Sequence, residues 1–223
     1  MGIWSVYNFF NFITGLVHVC TNTLVSGKFK MTIKPLIDYF ENFLPLNEEE
    51  KTAVENYFKV RKIKRRQFIL QEGDICKHNT FVIEGCFRTY MIDEKGKEHN
   101  LQFAIENWWI GDIGSFHSEK PSKLNIEAIE NAVILQCKKE DQLKLFVNYP
   151  KFNRIFRVLA ENAIVSLQNR ILQNISSTAE ERYLDFVERF PQFFNRISNV
   201  QIASYLGVTP EFLSAIRKKI AES

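Results

Sequence analysis

Side chains that could bind nucleic acid are concentrated near the carboxyl end of this 223-residue chain, between residues 199 and 218. A glutamate can accept a hydrogen bond from a cytosine amino group, and a serine can pair with several base edges. Arginine and lysine contact phosphates. This chemistry needs one helix whose first half enters the major groove. The predicted DNA-contacting residues are Thr209, Pro210, Glu211, Ser214, Arg217, Lys218 and Gln201.

The surrounding residues predict two short helices that would position this set. Gly207 supplies a turn residue that tolerates positive φ, and Ala203 supplies a small side chain where the helices cross. Thr209 is a suitable N-cap, followed by Pro210 at the first helical position. The spacing of apolar residues indicates a shared small core (Ile202, Leu206, Val208, Leu213 and Ile216). The pattern predicts a helix-turn-helix; the alternatives are an ordinary helical hairpin and, for Arg217–Lys219, a solvated last turn.

Upstream of these helices the apolar period indicates helices first and strands afterwards. Residues 34–57 are helical in pattern, with a break at Pro45 and a cap at Asn47. Gly- and Asp-containing turns then separate six short strands, which favours an antiparallel barrel or roll. The strands are predicted at residues 68–70, 80–83, 87–92, 101–104, 126–129 and 132–137.

A helix of about 25 residues is predicted from Pro150 to Ile175, and it carries two apolar stripes. The first contains Phe152, Phe156, Leu159 and Ala163, and the second contains Val158, Val165 and Leu172. One stripe can pack on the roll while the other binds a partner helix, so we expect a homodimer. The alternative is a helix buried on both sides within one chain. Thr178 and Glu181 then form a capping box for a further supporting helix.

Composition excludes several classes of protein. The net charge of +3 neither requires nor excludes nucleic acid. The four cysteines lie far apart, so we expect no disulfide framework, zinc site or iron–sulfur cluster, and a cytoplasmic location fits this. No catalytic arrangement is visible, so no enzyme is expected.

Six basic residues in the run 59–66 are interpreted as a solvated strand edge; the alternative is contact with flanking DNA or an acidic partner.

Residues 1–30 differ from the rest of the chain, because no Lys, Arg, Asp or Glu occurs from Met1 to Ser26. Neither a positive n-region nor a cleavage site is visible, and polar residues interrupt the apolar stretch. We interpret this segment as an upstream-extended start outside the fold. The alternative is a membrane anchor.

The order of these elements, together with several motifs, resembles the Crp/Fnr family of bacterial transcription regulators. The motifs are residues 69–74, 81–85, 95–98 and 109–112, and the segments at 178–184 and 202–219 are most similar to the branch common in Bacteroidetes. The resemblance implies an α+β chain: a β-roll effector domain like the cyclic-nucleotide-binding jelly roll with flanking helices (31–147), a long dimerisation helix (148–176) and an all-α helix-turn-helix domain (177–223). It also implies a homodimer that reads a pseudo-palindromic operator in double-stranded DNA and contacts RNA polymerase.

Departures from the family pattern bear on the effector. Members that bind cyclic AMP have a Gly-Glu pair for the ribose and a later Arg-Ser pair for the phosphate. Here Asp112 follows Gly111, and residues 121–124 contain no arginine, so a cyclic nucleotide is not expected as cofactor. The predicted effector pocket is Gly111, Asp112, Ile113, Gly114, Ser122 and Lys123. A regulator that responds to cyclic AMP or cyclic GMP remains an alternative, as does a protein-interaction module whose near-neutral helical head does not bind DNA.

Overall fold

The computed structural model describes residues 33–193 and 195–222. The expectation for residues 1–30 lies outside this part of the chain. Two helices come first, then a roll of eight strands, and then the helices that follow it. In chain order the elements are α1 (Lys34–Glu41), α2 (Glu48–Tyr57), β1 (Lys59–Ile63), β2 (Phe68–Leu70), β3 (His78–Glu84), β4 (Phe87–Ile92), β5 (Glu98–Ala104), β6 (Trp109–Ile110), α3 (Ile113–Ser118), β7 (Asn125–Ala128), β8 (Ala132–Lys138), α4 (Lys139–Asn148), α5 (Pro150–Ser176), α6 (Ala179–Arg189), a 3-10 turn (Pro191–Phe193), α7 (Asn199–Leu206) and α8 (Pro210–Ala221).

The strands form two antiparallel four-stranded sheets, ordered β1-β8-β3-β6 and β2-β7-β4-β5. The predicted α+β class and antiparallel roll are confirmed, and each of the six predicted strands is present. Two strands, β1 and β6, were missed. Strand β1 lacks the usual alternation of buried and exposed residues, because the four residues before Ile63 are all exposed. Strand β6 has only two residues. Helices α3 and α4 were also not predicted.

An aromatic cluster attaches the flanking helices to the roll. The Phe40 ring of α1 lies 5.4 Å from that of Phe152 and 6.1 Å from that of Trp109. Trp109 in turn lies 5.2 Å from Phe81 of β3 and 5.3 Å from Phe156 of α5. Burial of these rings stabilises the domain and fixes the start of α5 against the sheet.

The long helix α5 is buried at its beginning and exposed in its second half. Phe152 and Ile155 are fully buried, and Phe156 and Leu159 pack on the same core. Ala163, predicted to continue this packing stripe, is exposed. From residue 164 onward the helix exposes large apolar side chains: Ile164, Val165, Leu167, Ile171, Leu172 and Ile175. None of the helices in the described residues is long and apolar enough to cross a membrane.

Candidate nucleic-acid interface

The predicted helix-turn-helix is formed by α7 and α8. Gly207 ends α7 with a φ of 70°, and its N–H bonds to the carbonyls of Ala203 and Ser204. Thr209 caps α8, since its hydroxyl accepts the N–H of Phe212, and Pro210 is at the first helical position. The fully buried Ala203 allows the helices to approach closely. The local sequence signals therefore produce the expected motif.

One face of α8 presents polar and charged groups to solvent. Glu211, Ser214 and Lys218 are exposed and lie at spacings of three and four residues, which places them along one side of the helix. The Ser214 hydroxyl donates to the Pro210 carbonyl at 2.9 Å, while the Lys218 ammonium lies 3.8 Å from Glu222. Arg217 is exposed and donates to Asn199 Oδ1 at 2.5 Å. These side chains are held only at the surface, so a ligand can compete for them.

Gln201, the predicted contact residue on α7, takes part in the capping box at the start of that helix. Its side-chain oxygen accepts the Ser198 N–H at 3.1 Å, and its own N–H donates to the Ser198 hydroxyl. Its carbonyl accepts from Asn100 on strand β5. The capping box uses the side-chain oxygen and the backbone N–H of Gln201. The side-chain NH₂ is the group that could donate to a phosphate.

The helical head, meaning α6, the 3-10 turn, residues 195–198, α7 and α8, packs directly on the roll. The Ser204 hydroxyl donates to the Glu98 carbonyl at 2.9 Å and accepts the Asn100 N–H at 3.0 Å. Aromatic rings add to this contact: Phe103 of β5 lies 5.8 Å from Phe193 and 5.5 Å from Tyr205. No local pattern in the sequence indicates this interface, since it joins residues about a hundred positions apart.

Arg196 forms a charged link across the same interface. Its guanidinium donates two hydrogen bonds to Glu106, at 2.8 and 2.9 Å, and further bonds to Glu130. Glu106 also accepts the Gly85 N–H at 2.8 Å. Burial alone would raise the pKa of Glu106, but the bonds from Arg196 and Gly85 outweigh it and hold that pKa below its ordinary value.

The predicted effector residues lie in different surroundings. Asp112 caps α3 by accepting the Ser115 N–H, and its second oxygen accepts the Ser122 hydroxyl at 2.7 Å. These two groups satisfy one another, and Ser122 is buried. Ile113 and Lys123 are exposed, and Gly114 lies beside the Asp112 carboxylate. Gly111 lines the cavity of the roll. The structure therefore does not bring the six residues together around one opening.

Comparisons with known proteins agree with this architecture. Residues 60–149 match the cyclic nucleotide-binding domain family. The regulatory protein HlyX of Actinobacillus pleuropneumoniae is 26% identical over 192 residues, covering 80% of this chain and 78% of that protein. FixK2 from Bradyrhizobium japonicum has a similar structure, with a TM-score of 0.66, 18% identity and coverage of 74% of this chain and 85% of that chain. A Crp/Fnr-family transcriptional regulator from Eubacterium rectale has a TM-score of 0.64 at 16% identity, covering 82% and 88%.

A roll of the cyclic-nucleotide-binding type, a long helix and a helix-turn-helix define a class of two-domain transcription regulators. The relatives in sequence and the neighbours in structure belong to that class. The resemblance predicted from the motifs is confirmed, since residues 60–149 match the cyclic nucleotide-binding domain and the relatives in sequence are Crp/Fnr-type regulators.

Proposed function

We propose that the chain acts as a homodimer that reads a two-fold DNA site with one α8 helix per half-site. The exposed polar face of α8, on an intact helix-turn-helix, is the observation that carries this proposal. Glu211 and Ser214 would face base edges, while Arg217 and Lys218 would neutralise phosphates. Thr209 and Pro210 begin the helix at the groove, and the Gln201 amide would add a phosphate contact.

Selection of bound fragments from random DNA tests this proposal directly. We expect a pseudo-palindrome with half-sites about 10–10.5 base pairs apart. Glu211→Ala should relax base preference at one position of each half-site, since it removes a base contact. Lys218→Ala should weaken all sequences alike and lower the salt slope by about one. Equal losses from both changes on specific and random DNA would contradict the assignment. Absence of any selected DNA would favour the protein-interaction alternative.

The exposed apolar stripe of α5 supports a second copy of the chain as its partner. Ile164, Leu167, Ile171 and Ile175 recur at three and four residues, the spacing of a helix-pairing seam. We expect sedimentation to give a dimer for the native chain and a monomer for Ile171→Glu, because the variant would bury a charge in the seam. Ser166→Glu adds a charge at an exposed position on the opposite side of α5 and should leave the dimer intact.

The dimer would act in the cytoplasm, with RNA polymerase as a further partner. The roll would either respond to an effector or serve as a scaffold. The mutual bond of Asp112 and Ser122 supports the view that cyclic AMP is not the effector, because both groups are already paired. Calorimetry with cyclic AMP and cyclic GMP should show no binding. Micromolar binding of either would favour the cyclic-nucleotide-responsive alternative.

A further inference from the structure

A cavity of about 320 Å³ opens between the two sheets of the roll, beside the loop that joins β2 to β3. Two polar side chains in its lining, Thr80 and Gln136, are almost completely buried. The Gln136 amide donates to the Thr80 hydroxyl at 3.1 Å and accepts from Arg61 at 2.7 Å. The hydrogen-bonded chain from Arg61 to Thr80 therefore runs from the mouth of the cavity to its interior.

The mouth of this cavity is positively charged. Arg61, Lys77 and His78 line it, and none of the three forms an ion pair with a carboxylate among the described residues. Asp74 is the acidic residue of the lining. The pKa of His78 is lowered, first by burial and then by the charges of Arg61, Lys138 and Lys77. The positive charges around His78 would therefore stabilise an anion bound at this mouth.

The rest of the lining is apolar, with Ile69, Leu70, Ile110 and Ile126 between the sheets. We propose that this cavity binds a small organic anion whose carboxylate pairs with Arg61 and whose apolar body lies against these side chains. Its volume is at the lower end of the range for small-molecule sites, about 300–1,000 Å³, which favours a compact ligand. The site shares Gly111 with the predicted effector pocket but does not use Asp112, Ser122 or Lys123. Binding of an anion in this cavity does not depend on whether α8 binds DNA.

Benzoate and benzamide provide a matched pair of probes, because they have nearly the same shape and differ in charge. We would titrate each into the full chain and follow the side-chain amide of Gln136 and the ring of His78 by NMR. A charge-assisted bond to a guanidinium is about twice as strong as a neutral one, so we expect benzoate to bind at least about tenfold more tightly than benzamide. Chemical-shift changes should map to the cavity.

Two variants test the role of Arg61. Arg61→Gln should reduce benzoate affinity about tenfold and leave benzamide unchanged, since only the charge is removed. Lys62 is the next residue on β1 and does not line the cavity. Lys62→Gln should therefore leave both affinities unchanged. Equal affinities for the two probes, no binding of either, or changes centred on Asp112 and Ser122 would each overturn the proposal. Thermal unfolding of both variants checks that they fold.

Discussion

Arg196→Ala is expected to loosen the helical head from the roll. Arg196 precedes α7 and is the charged link from the head to Glu106 and Glu130 of the roll. The Arg196 side chain is 24% exposed, and each carboxylate side chain is 37% exposed. Its removal leaves two partly buried carboxylates facing one another without a cation.

The magnitude follows from this intermediate burial. Exposed ion pairs contribute about 0–1 kcal/mol, whereas removal of one partner from a buried pair costs about 3–5 kcal/mol. At 24% exposure for Arg196 and 37% for each carboxylate, solvent screens these charges in part, so we expect a loss of about 2 kcal/mol. That corresponds to about a 30-fold increase in the population of the opened state.

The effect should depend on pH in a defined direction. The folded-state pKa of Glu106 lies below its ordinary value of 4.5, so its contribution to stability is complete above pH 4.5 and is lost as the pH falls through the folded pKa. The bonds from Arg196 are the strongest cause of the lowered value. The stability difference between the native chain and Arg196→Ala should therefore be largest at neutral pH and narrow below pH 4.5.

Hydrogen exchange measured by mass spectrometry shows which amides open more often, and urea unfolding gives the total change in the free energy of unfolding. We expect the amides at the start of α7 to exchange about 30-fold faster in Arg196→Ala, with little change in the strands far from the head. Arg157→Ala is the control, because its pair with Glu161 on α5 is exposed and 3.6 Å long; it should cost less than about 0.5 kcal/mol. Unchanged exchange in α7, or an equal loss in the control, would refute the reasoning.

Further predictions concern the backbone and the thiols. Gly207→Ala should lower the free energy of unfolding by about 1 kcal/mol, since its φ of 70° is unfavourable for alanine but the space around it is open. Gly85→Ala should cost about 3 kcal/mol in the same urea assay, because φ is 101° and a Cβ would lie 2.5 Å from that of Ala132. Burial raises the pKa of Cys86 and Cys137 to about 12, so iodoacetamide at pH 8 should label neither in the folded protein, as judged by peptide mass spectrometry.

The helix-turn-helix was predictable because its signals are local. Gly207, Thr209 and Ala203 each fix a feature within one turn of themselves, and the structure has each feature where it was expected. Strand β1 was not predictable in this way, because its charged side chains are exposed along an edge strand. Its pairing with β8, which aligns Arg61 with Ile134, depends on residues about seventy positions away.

Long-range polar contacts explain the remaining differences at the site. Arg196 is 66 and 90 residues from its two carboxylate partners, so no spacing in the sequence relates them. Arg61 belongs to a basic run that is interpreted from sequence as a solvated edge. Only the folded register brings it to Gln136 and the cavity.

Arg170 determines how the Arg196 result should be interpreted. Its guanidinium donates to the carbonyls of Leu101 and Asn100 on β5 and of Tyr205 on α7, and it stacks at 4.1 Å over the Tyr205 ring. It therefore connects α5 to the roll and to the head. Since these bonds remain in Arg196→Ala, the head should stay attached along β5 and open mainly near residue 196. Faster exchange at the start of α7 than at Tyr205 would be the signature of this hinged opening, whereas uniform exchange along α7 would mean that Arg170 does not hold the head.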